Sequence, residues 1–349
     1  MGTSGTDAAW HDRRCRRVPG ACHARAMRAV VCTDFAPLDQ LVIEERPDPE
    51  PGPGQVVVAV RAAGVNYVDA LFVQGRYQIK PPLPFTPGGE VAGEVVAVGE
   101  GVEGVAVGDR VLAMTGLGGF ATHVAVSALS VVPVPATLGY GQAAGLVQSY
   151  GTMLFAYTRR TQLRAGEWVL VLGAGGGIGL AAVDLARHLG AHVIAAASSP
   201  EKLEAARAAG AVATIAYEEE DLKARARDLS GGGVDLVVDP VGGRFAEPAL
   251  RATGWMGRYL VIGFAGGEIP SLPANQVLLN NRTVLGVDWG AWTMRDPAGN
   301  RLLLDELLDL AAQEEIHPVE PTSYPLDDVV SALRDLQERR VGGKVVLVP

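Results

Sequence analysis

The run GAGGGIG at residues 173–179 constrains this chain of 349 residues more than any other segment. It places five glycines in seven positions, although glycine inside a regular element costs roughly 0.5–1 kcal/mol relative to alanine. WVLVL at 168–172 reads as a buried strand, and a helix is predicted after the run. In such a strand–loop–helix, glycines let a pyrophosphate approach the backbone, and the helix N-terminus attracts its charge. The run predicts a dinucleotide site; a glycine-rich turn without a ligand is the alternative.

Strands and helices alternate after this run. Strands are predicted over 168–172, 192–197, 214–217, 234–239, 258–263 and 283–288. Helices are predicted over 176–189, 200–210, 219–229 and 243–253, then over 301–315 and 326–339 before a closing strand at 344–348. This alternation is typical of an α/β fold with a parallel, doubly wound sheet.

The first part of the chain shows a different pattern of predicted elements. Short strands are predicted over 27–32, 55–62, 91–98, 109–113, 120–126 and 130–133, followed by a helix over 141–158. The segments 45–54 and 80–89 are rich in proline and glycine and are predicted to be loops. Many short strands joined by such turns predict a small β-barrel-like domain. The chain is therefore expected to form two domains.

Composition excludes several classes of protein. The net charge of −9 argues against binding to a nucleic-acid backbone, which needs a basic face. The apolar stretches are interrupted well before the length of a membrane span, so no membrane association is expected. Only Cys32 lies beyond the first 26 residues, the other two cysteines being Cys15 and Cys22. This usage predicts no disulfide framework and a reducing, cytoplasmic compartment.

The first 26 residues differ from the rest in composition. They carry five arginines against two aspartates and no apolar signal-peptide core. We expect a disordered extension, with Met27 opening the folded chain. The alternative is an arginine-rich transit peptide, which would place the protein in the mitochondrial matrix.

The residues after the second predicted strand indicate which dinucleotide is bound. An NAD site usually carries Asp or Glu there, to bind the ribose hydroxyls. This chain has Ser198 and Lys202, which suit a 2′-phosphate that an acid would repel. Glu201 is expected to point outward. NADPH is therefore the predicted cofactor.

Eight motifs in order resemble the zinc-independent quinone oxidoreductases of the medium-chain dehydrogenase/reductase superfamily. They are GVNYVDALFVQGRY (64–77), PFTPGGEVAGEVVAVG (84–99), GDRV (108–111), GAGGGIG (173–179), DPVGG (239–243), VIGFAGGEIP (261–270), GVDWG (286–290) and GGKVVL (342–347). The resemblance covers nearly everything from Met27 onward.

This resemblance implies a GroES-like catalytic domain over 27–148 and a Rossmann domain over 149–315. It also implies a return to the first domain over 316–349. NADPH would lie in the cleft between the domains. A homodimer is implied as well, joined through the edges of the two Rossmann sheets near 283–288.

The same comparison predicts that zinc is absent. Zinc-dependent relatives place Cys, His and Cys where this chain has Asn66, Gly89 and the region of Gln148 and Ser149. MTGLGGFATHV at 114–124 replaces their cysteine-rich lobe. Without a Lewis acid to lower an alcohol's pKa, we expect reduction of an acceptor that delocalises negative charge onto oxygen.

Site residues follow from the motifs. Asn66 is expected to face the nicotinamide and donate to a developing oxyanion, and Tyr77 to donate to the acceptor or stack on it. Both also have structural alternatives, a turn-holding asparagine and a core aromatic. The predicted cofactor-binding residues are Asn66, Thr152, Gly175, Gly176, Gly177, Ile178, Ser198, Lys202, Tyr217, Val241, Gly263, Phe264, Ala265 and Lys344. Lys344 is expected to reach the cofactor phosphates, and otherwise to be solvated.

Three functions are compatible with these features. The first is an NADPH-dependent quinone reductase. The second keeps the fold and cofactor but reduces an enal, enone or enoyl thioester. The third is a non-catalytic NADPH-binding protein with a structural or RNA-associated role, against which the acidic composition argues.

Overall fold

The computed structural model describes residues 26–349. The predicted N-terminal extension, with Cys15 and Cys22, lies outside the described residues except for Ala26, which already belongs to the first strand. Within the described part of the chain, no helix has both the length and the apolar character needed to cross a membrane.

The first part of the chain is built mainly from short strands. They are β1 (Ala26–Val31), β2 (Val42–Pro47), β3 (Gln55–Val65), β4 (Glu90–Val98), β5 (Arg110–Met114), β6 (His123–Ser127) and β7 (Val131–Pro133), with helix α1 (Tyr67–Val73) after β3. A helical segment follows, with α2 (Tyr140–Leu146) and α3 (Thr152–Phe155) joined by a wider π turn at Val147–Gly151. The six predicted strands are present, whereas β2 and α1 were not predicted.

The middle of the chain forms the predicted parallel sheet. Its strands are β8 (Trp168–Leu172), β9 (His192–Ala197), β10 (Ala213–Ala216), β11 (Val234–Asp239), β12 (Thr253–Val261) and β13 (Thr283–Gly286). The helices between them are α4 (Gly177–His188), α5 (Pro200–Ala208), α6 (Leu222–Leu229), α7 (Ala246–Ala252) and α8 (Ala274–Leu278). The spatial order is β10-β9-β8-β11-β12-β13. Strands are added on one side of β8 up to β10 and on its other side from β11, and parallel sheets bind ligands at such a switch point.

Helices cover both faces of this sheet, as its strands require. Val169 and Val171 of β8 enter one apolar core, and Leu170 and Leu172 enter the other. All four are fully buried because successive side chains of a strand point to opposite faces. Burial on both faces explains why the sequence of β8, WVLVL, is apolar throughout.

The C-terminal segment returns to the first sheet, as the resemblance implied. After α9 (Trp289–Arg295) and α10 (Pro297–Ala312) come β14 (Thr322–Pro325), α11 (Val329–Gln337) and β15 (Val345–Val348). The order in the first sheet is β14-β15-β3-β4-β5-β7, with β6 also paired to β3. The predicted domain limit at 148/149 falls within the helical segment between α2 and α3, and it stays a prediction.

Strand register in the first sheet decides which polar side chains meet. β4 and β15 flank β3 and run antiparallel to it, so their N-terminal ends lie at the carboxyl end of β3. Val65 pairs with Val345, and Gly64 pairs with Glu90. Asn66, which follows β3, and Lys344, which precedes β15, are therefore brought to the same edge as Glu90.

Candidate functional site

The glycine run joins β8 to α4 in a turn that has no space for a side chain at Gly175 or at Gly179. A Cβ atom on Gly175 would lie 2.4 Å from the Cβ of Lys202, and one on Gly179 would lie 2.2 Å from the carbonyl oxygen of Gly173. Gly173 itself has a φ of +58°, which favours glycine. Gly176 is the N-cap of α4 and is exposed. The helix N-terminus is therefore open to a ligand at this residue.

A second segment covers part of this loop. We call residues 339–344 the C-terminal strap; it connects α11 to β15. The backbone N–H of Gly343 donates to the Gly175 carbonyl over 2.7 Å. At its other end, the Lys202 ammonium donates to the Arg339 carbonyl over 2.8 Å. The strap thus ties the glycine run to the end of the first sheet.

Positive charge collects at the carboxyl end of β9, where Ser198 and Lys202 were predicted to lie together. Arg339 joins them, and its guanidinium donates to the Ala265 carbonyl over 3.0 Å. Burial and the charge of Arg339 lower the pKa of Lys202 from its ordinary value. A bound anion would relieve this repulsion between two cations. Glu201 is exposed, as expected.

Tyr217 lies next to Ser198 and is the fourth residue of this group. Its hydroxyl lies near Ser198, and burial raises the pKa of Tyr217 above the ordinary value. Its ring lies against Phe245, with the ring centroids 4.2 Å apart. We call Ser198, Lys202, Tyr217 and Arg339 the basic cluster. Sequence reasoning missed Arg339 because no local motif marks it.

The predicted residues of the nicotinamide half also lie together. The Val241 carbonyl accepts from Gly266 over 2.7 Å, and the Ala265 N–H donates to Pro240 over 3.0 Å. The predicted residues Gly263 and Phe264 lie in this same half-buried loop after β12. Asp239 fixes the turn below, because its carboxylate accepts from the N–H of Val241 over 2.8 Å.

Helix residues form the wall beside the start of α4. Thr152 is buried, and its hydroxyl donates to the Gln148 carbonyl over 2.6 Å. A Cβ atom on Gly177 would lie 3.2 Å from the Ser149 hydroxyl oxygen. Ile178 is half-buried and packs on the adjoining core. These predicted residues therefore lie beside the glycine run.

Asn66 lies in a polar network at the edge of the first sheet. Its Nδ2 donates to Glu90 Oε1 over 3.0 Å, and its Oδ1 accepts from the Lys344 ammonium over 2.6 Å. Lys344 also donates to Glu90 Oε1 over 2.6 Å, and the second oxygen of Glu90 accepts from the Gln148 N–H over 2.8 Å. Lys344 was expected to reach the cofactor phosphates. In the structure its ammonium contacts these two side chains and is buried rather than solvated, and the contact with the phosphates stays a prediction.

Asp69 lies below this network and is buried. Its Oδ2 accepts from the Asn66 N–H over 2.7 Å, which caps the first turn of α1. Burial raises the pKa of Asp69 to about 7, and the charge of Glu90 adds to this, although Lys344 and two backbone N–H groups act in the opposite direction. The carboxyl therefore titrates near neutral pH in the folded protein.

Asp69→Asn is expected to remove a pH dependence of stability. A pKa of about 7 in the folded state, against 3.8 ordinarily, means that Asp69 stabilises the fold below pH 4 and that this contribution is lost as the pH rises to 7. The amide still accepts the cap hydrogen bond but cannot ionise. Urea unfolding should show that the free energy of unfolding of the variant, relative to that of wild type, rises by roughly 2–3 kcal/mol between pH 5 and pH 8.

The matched control for this prediction is Asp34→Asn, the same change at an exposed position. Its stability relative to wild type should not change between the two pH values. An equal response of the two variants would contradict the assignment of the titration to Asp69.

Tyr77 follows α1 at the edge of the same region. It is half-buried, and its ring lies 4.8 Å from that of Phe72, measured between centroids. Burial, together with the charge of Asp288, raises the pKa of Tyr77. The hydroxyl therefore stays protonated and able to donate. No hydrogen bond within residues 26–349 joins it to another candidate residue.

Comparison with known proteins agrees with this architecture. The alcohol dehydrogenase GroES-like domain family matches residues 52–136, and the zinc-binding dehydrogenase family matches residues 177–304. A quinone oxidoreductase-like protein 2 homolog from Nematostella vectensis is 38% identical, over 93% of this chain and 89% of its own length.

Two solved structures are also similar. Escherichia coli quinone oxidoreductase complexed with NADPH has a TM-score of 0.83 at 28% identity and covers 92% of this chain and 100% of its own. A mycobacterial protein complexed with NADPH has a TM-score of 0.86 at 31% identity and covers 93% of this chain and 100% of its own.

The fold and its matches define a medium-chain dehydrogenase/reductase, an oxidoreductase with a GroES-like domain and a Rossmann domain. Within that superfamily, the chain belongs to the zinc-independent quinone oxidoreductase group. The fold class predicted from the sequence is thereby confirmed.

One matching family is described as zinc-binding. The positions at which the sequence comparison places zinc ligands in such relatives are Asn66, Gly89 and the region of Gln148 and Ser149, and none of these residues carries a thiol or an imidazole. The amide of Asn66 is bonded to Glu90 and to the ammonium of Lys344. Zinc sites in proteins use thiolate, imidazole and carboxylate ligands. Residues 26–349 contain no group of three or more His, Cys, Asp or Glu arranged to hold a metal ion. This donor set does not fit zinc.

Proposed function

We propose that this protein reduces a quinone with NADPH as the hydride donor. The basic cluster is the observation that carries the choice of cofactor. It presents Lys202 and Arg339 at the end of β9, where neither cation forms a salt bridge with a carboxylate of residues 26–349; each donates to a backbone carbonyl instead. A 2′-phosphate supplies the anion that these cations lack. The similar E. coli quinone oxidoreductase was solved with NADPH.

The acceptor follows from the donors that the site offers. NADPH, when bound, supplies a hydride. A quinone that receives a hydride at carbon develops negative charge on oxygen, and hydrogen-bond donors stabilise that charge. Asn66 offers an amide N–H for this purpose, and Tyr77 offers a protonated hydroxyl. The basic cluster would hold the 2′-phosphate end of NADPH and so help to position its nicotinamide end.

Purified enzyme tests this proposal when NADPH and NADH oxidation are each followed with a benzoquinone and with an enal. We expect rapid turnover with NADPH and the quinone. Turnover with the enal alone would replace the proposal by double-bond reduction. Binding of NADPH without oxidation, together with an RNA mobility shift at physiological salt, would replace it by a non-catalytic role.

We also propose that the protein is a homodimer joined at β13. This strand is the edge of the parallel sheet and pairs only with β12 among the described strands. Leu278 and Leu279, which lead into it, are 78% and 55% exposed. Analytical ultracentrifugation should give twice the chain mass of 36.4 kDa, and Leu278→Glu should shift the protein towards monomer. A wild-type monomer would contradict the proposal.

The compartment that we propose is the cytoplasm. Cys32 is a free and buried thiol, which suits reducing conditions. The mitochondrial matrix replaces this assignment if residues 1–26 act as a transit peptide. Fluorescence microscopy of the full chain, with and without those residues, distinguishes the two.

A further inference from the structure

A buried ion pair lies beside Asn66, and hydride transfer as proposed above does not account for it. Lys344 and Glu90 are only 7% and 3% exposed, and each of them contacts the Asn66 side chain. Burying two charges is costly unless their hydrogen bonds are satisfied. The fold also keeps space for them: a Cβ on Gly64 would lie 2.5 Å from Glu90 Oε1, and one on Gly145 would lie 2.6 Å from Lys344 Cγ.

The chemistry of the pair fixes which way the Asn66 amide points. A lysine ammonium can only donate hydrogen bonds, and an ionised carboxylate can only accept them. The amide atom that contacts Lys344 must therefore be Oδ1, and the atom that contacts Glu90 must be Nδ2. One hydrogen of Nδ2 is engaged by Glu90. The other has no partner among residues 26–349 and is available to an acceptor.

The rest of the chain holds Lys344 in place. The preceding residue, Gly343, donates its N–H to the glycine run at Gly175. The following residue, Val345, pairs with Val65 at the end of β3. Lys344 is thus fixed between the loop that would bind the pyrophosphate and the strand that carries Asn66.

We propose that Lys344 is a positioning residue, whose ammonium locks the Asn66 amide with its N–H donor turned to the acceptor oxygen. It takes the role of a fixed cation at a position where zinc-dependent relatives bind a metal. The inference rests on the proposed function in one respect, since Asn66 must act as the donor to the acceptor. It differs from the phosphate-binding role expected from the sequence, which would change cofactor affinity rather than turnover.

A double-mutant cycle on full-length protein tests this inference. Lys344→Met, Asn66→Ala and the double variant are compared with wild type in kcat, in KM for the acceptor and in the Kd for NADPH. We expect Asn66→Ala to lower kcat about 100-fold, at the lower end of the range found for loss of one oxyanion donor, and Lys344→Met to lower it by no more than that. The double variant should be no slower than Asn66→Ala, and Kd for NADPH should stay within about threefold of wild type.

The conservative control is Lys344→Arg, which keeps a cationic donor and should retain more activity than Lys344→Met. Additive effects in the cycle, or a large rise in Kd for NADPH with kcat unchanged, would overturn the inference. If the lone carboxylate left by Lys344→Met prevents folding, Glu90→Gln with Lys344→Met keeps the interior neutral and replaces it in the cycle.

Wild type, the two single variants and the double variant are also unfolded with urea. This measurement separates failure of this inference from failure of the proposed function. If neither the quinone nor the enal is reduced, the proposed function fails. The unfolding data then still decide whether Lys344 and Asn66 are coupled. Additive changes in the free energy of unfolding would overturn the pairing whatever the activity.

Discussion

Replacement of Gly179 by alanine is expected to lower the free energy of unfolding by about 3 kcal/mol, towards the upper end of the usual cost of overpacking. Alanine is the better helix former by about 1 kcal/mol, so propensity alone predicts the opposite sign. The structure reverses this because the new Cβ would lie 2.2 Å from the Gly173 carbonyl oxygen and 2.6 Å from Ala174 Cα. Both are backbone atoms, so α4 must move away from β8.

The matched control is Gly176→Ala, three residues earlier in the same run. Its Cβ would meet nothing closer than the Gly173 oxygen at 3.5 Å, and its φ of −92° suits any residue. Stability should stay within about 0.5 kcal/mol of wild type, while the affinity for NADPH should fall. Urea unfolding and fluorescence titration measure the two quantities. Equal stability of the two variants would show that close packing of α4 on β8 does not require glycine.

Lys202→Glu is expected to weaken NADPH binding about 100-fold while leaving NADH binding within about threefold of wild type. If the 2′-phosphate binds as proposed, the substitution removes its charge-assisted hydrogen bond from Lys202 and adds a carboxylate that repels the phosphate. The two cofactors differ only in that phosphate, so a selective loss assigns the basic cluster to it. Dissociation constants from fluorescence titration with both cofactors provide the measurement.

Lys223→Glu makes the same charge change on an exposed lysine of α6 and serves as the control. It should not alter the ratio of the two dissociation constants. Equal weakening of NADPH and NADH by Lys202→Glu would indicate that the lysine maintains the loop fold, and the choice of NADPH would then have to be withdrawn.

Most of the fold was predictable because its strands are apolar and its turns carry glycine or proline. The parallel sheet was the clearest case, since β8, β9 and β11 match their predicted limits. β2 was missed because VIEERP is polar and ends in proline, which reads as a loop. α1 was missed because seven residues show little helical periodicity. β12 begins at Thr253, within a predicted helix, because tertiary pairing with β11 overrides the local preference there.

The site was less predictable than the fold. Ser198, Lys202 and the glycine run could be chosen as candidates from the sequence because a local pattern joins them. The partners of Asn66 are 24 and 278 residues away along the chain. Their meeting depends on the order β15-β3-β4, which no local pattern shows. Arg339 escaped prediction for the same reason.

The position of β15 has a consequence for how this protein is made. β15 is the last strand of the chain, yet it lies between β14 and β3. All six strands of the parallel sheet lie between Trp168 and Gly286, so that sheet has its full complement while the ribosome is still adding the C-terminus. The first sheet cannot be completed until β15 has been synthesised, whereas the parallel sheet can fold before that. We therefore expect translation that stops before Lys344 to release a chain in which the parallel sheet has formed and the first sheet lacks β15.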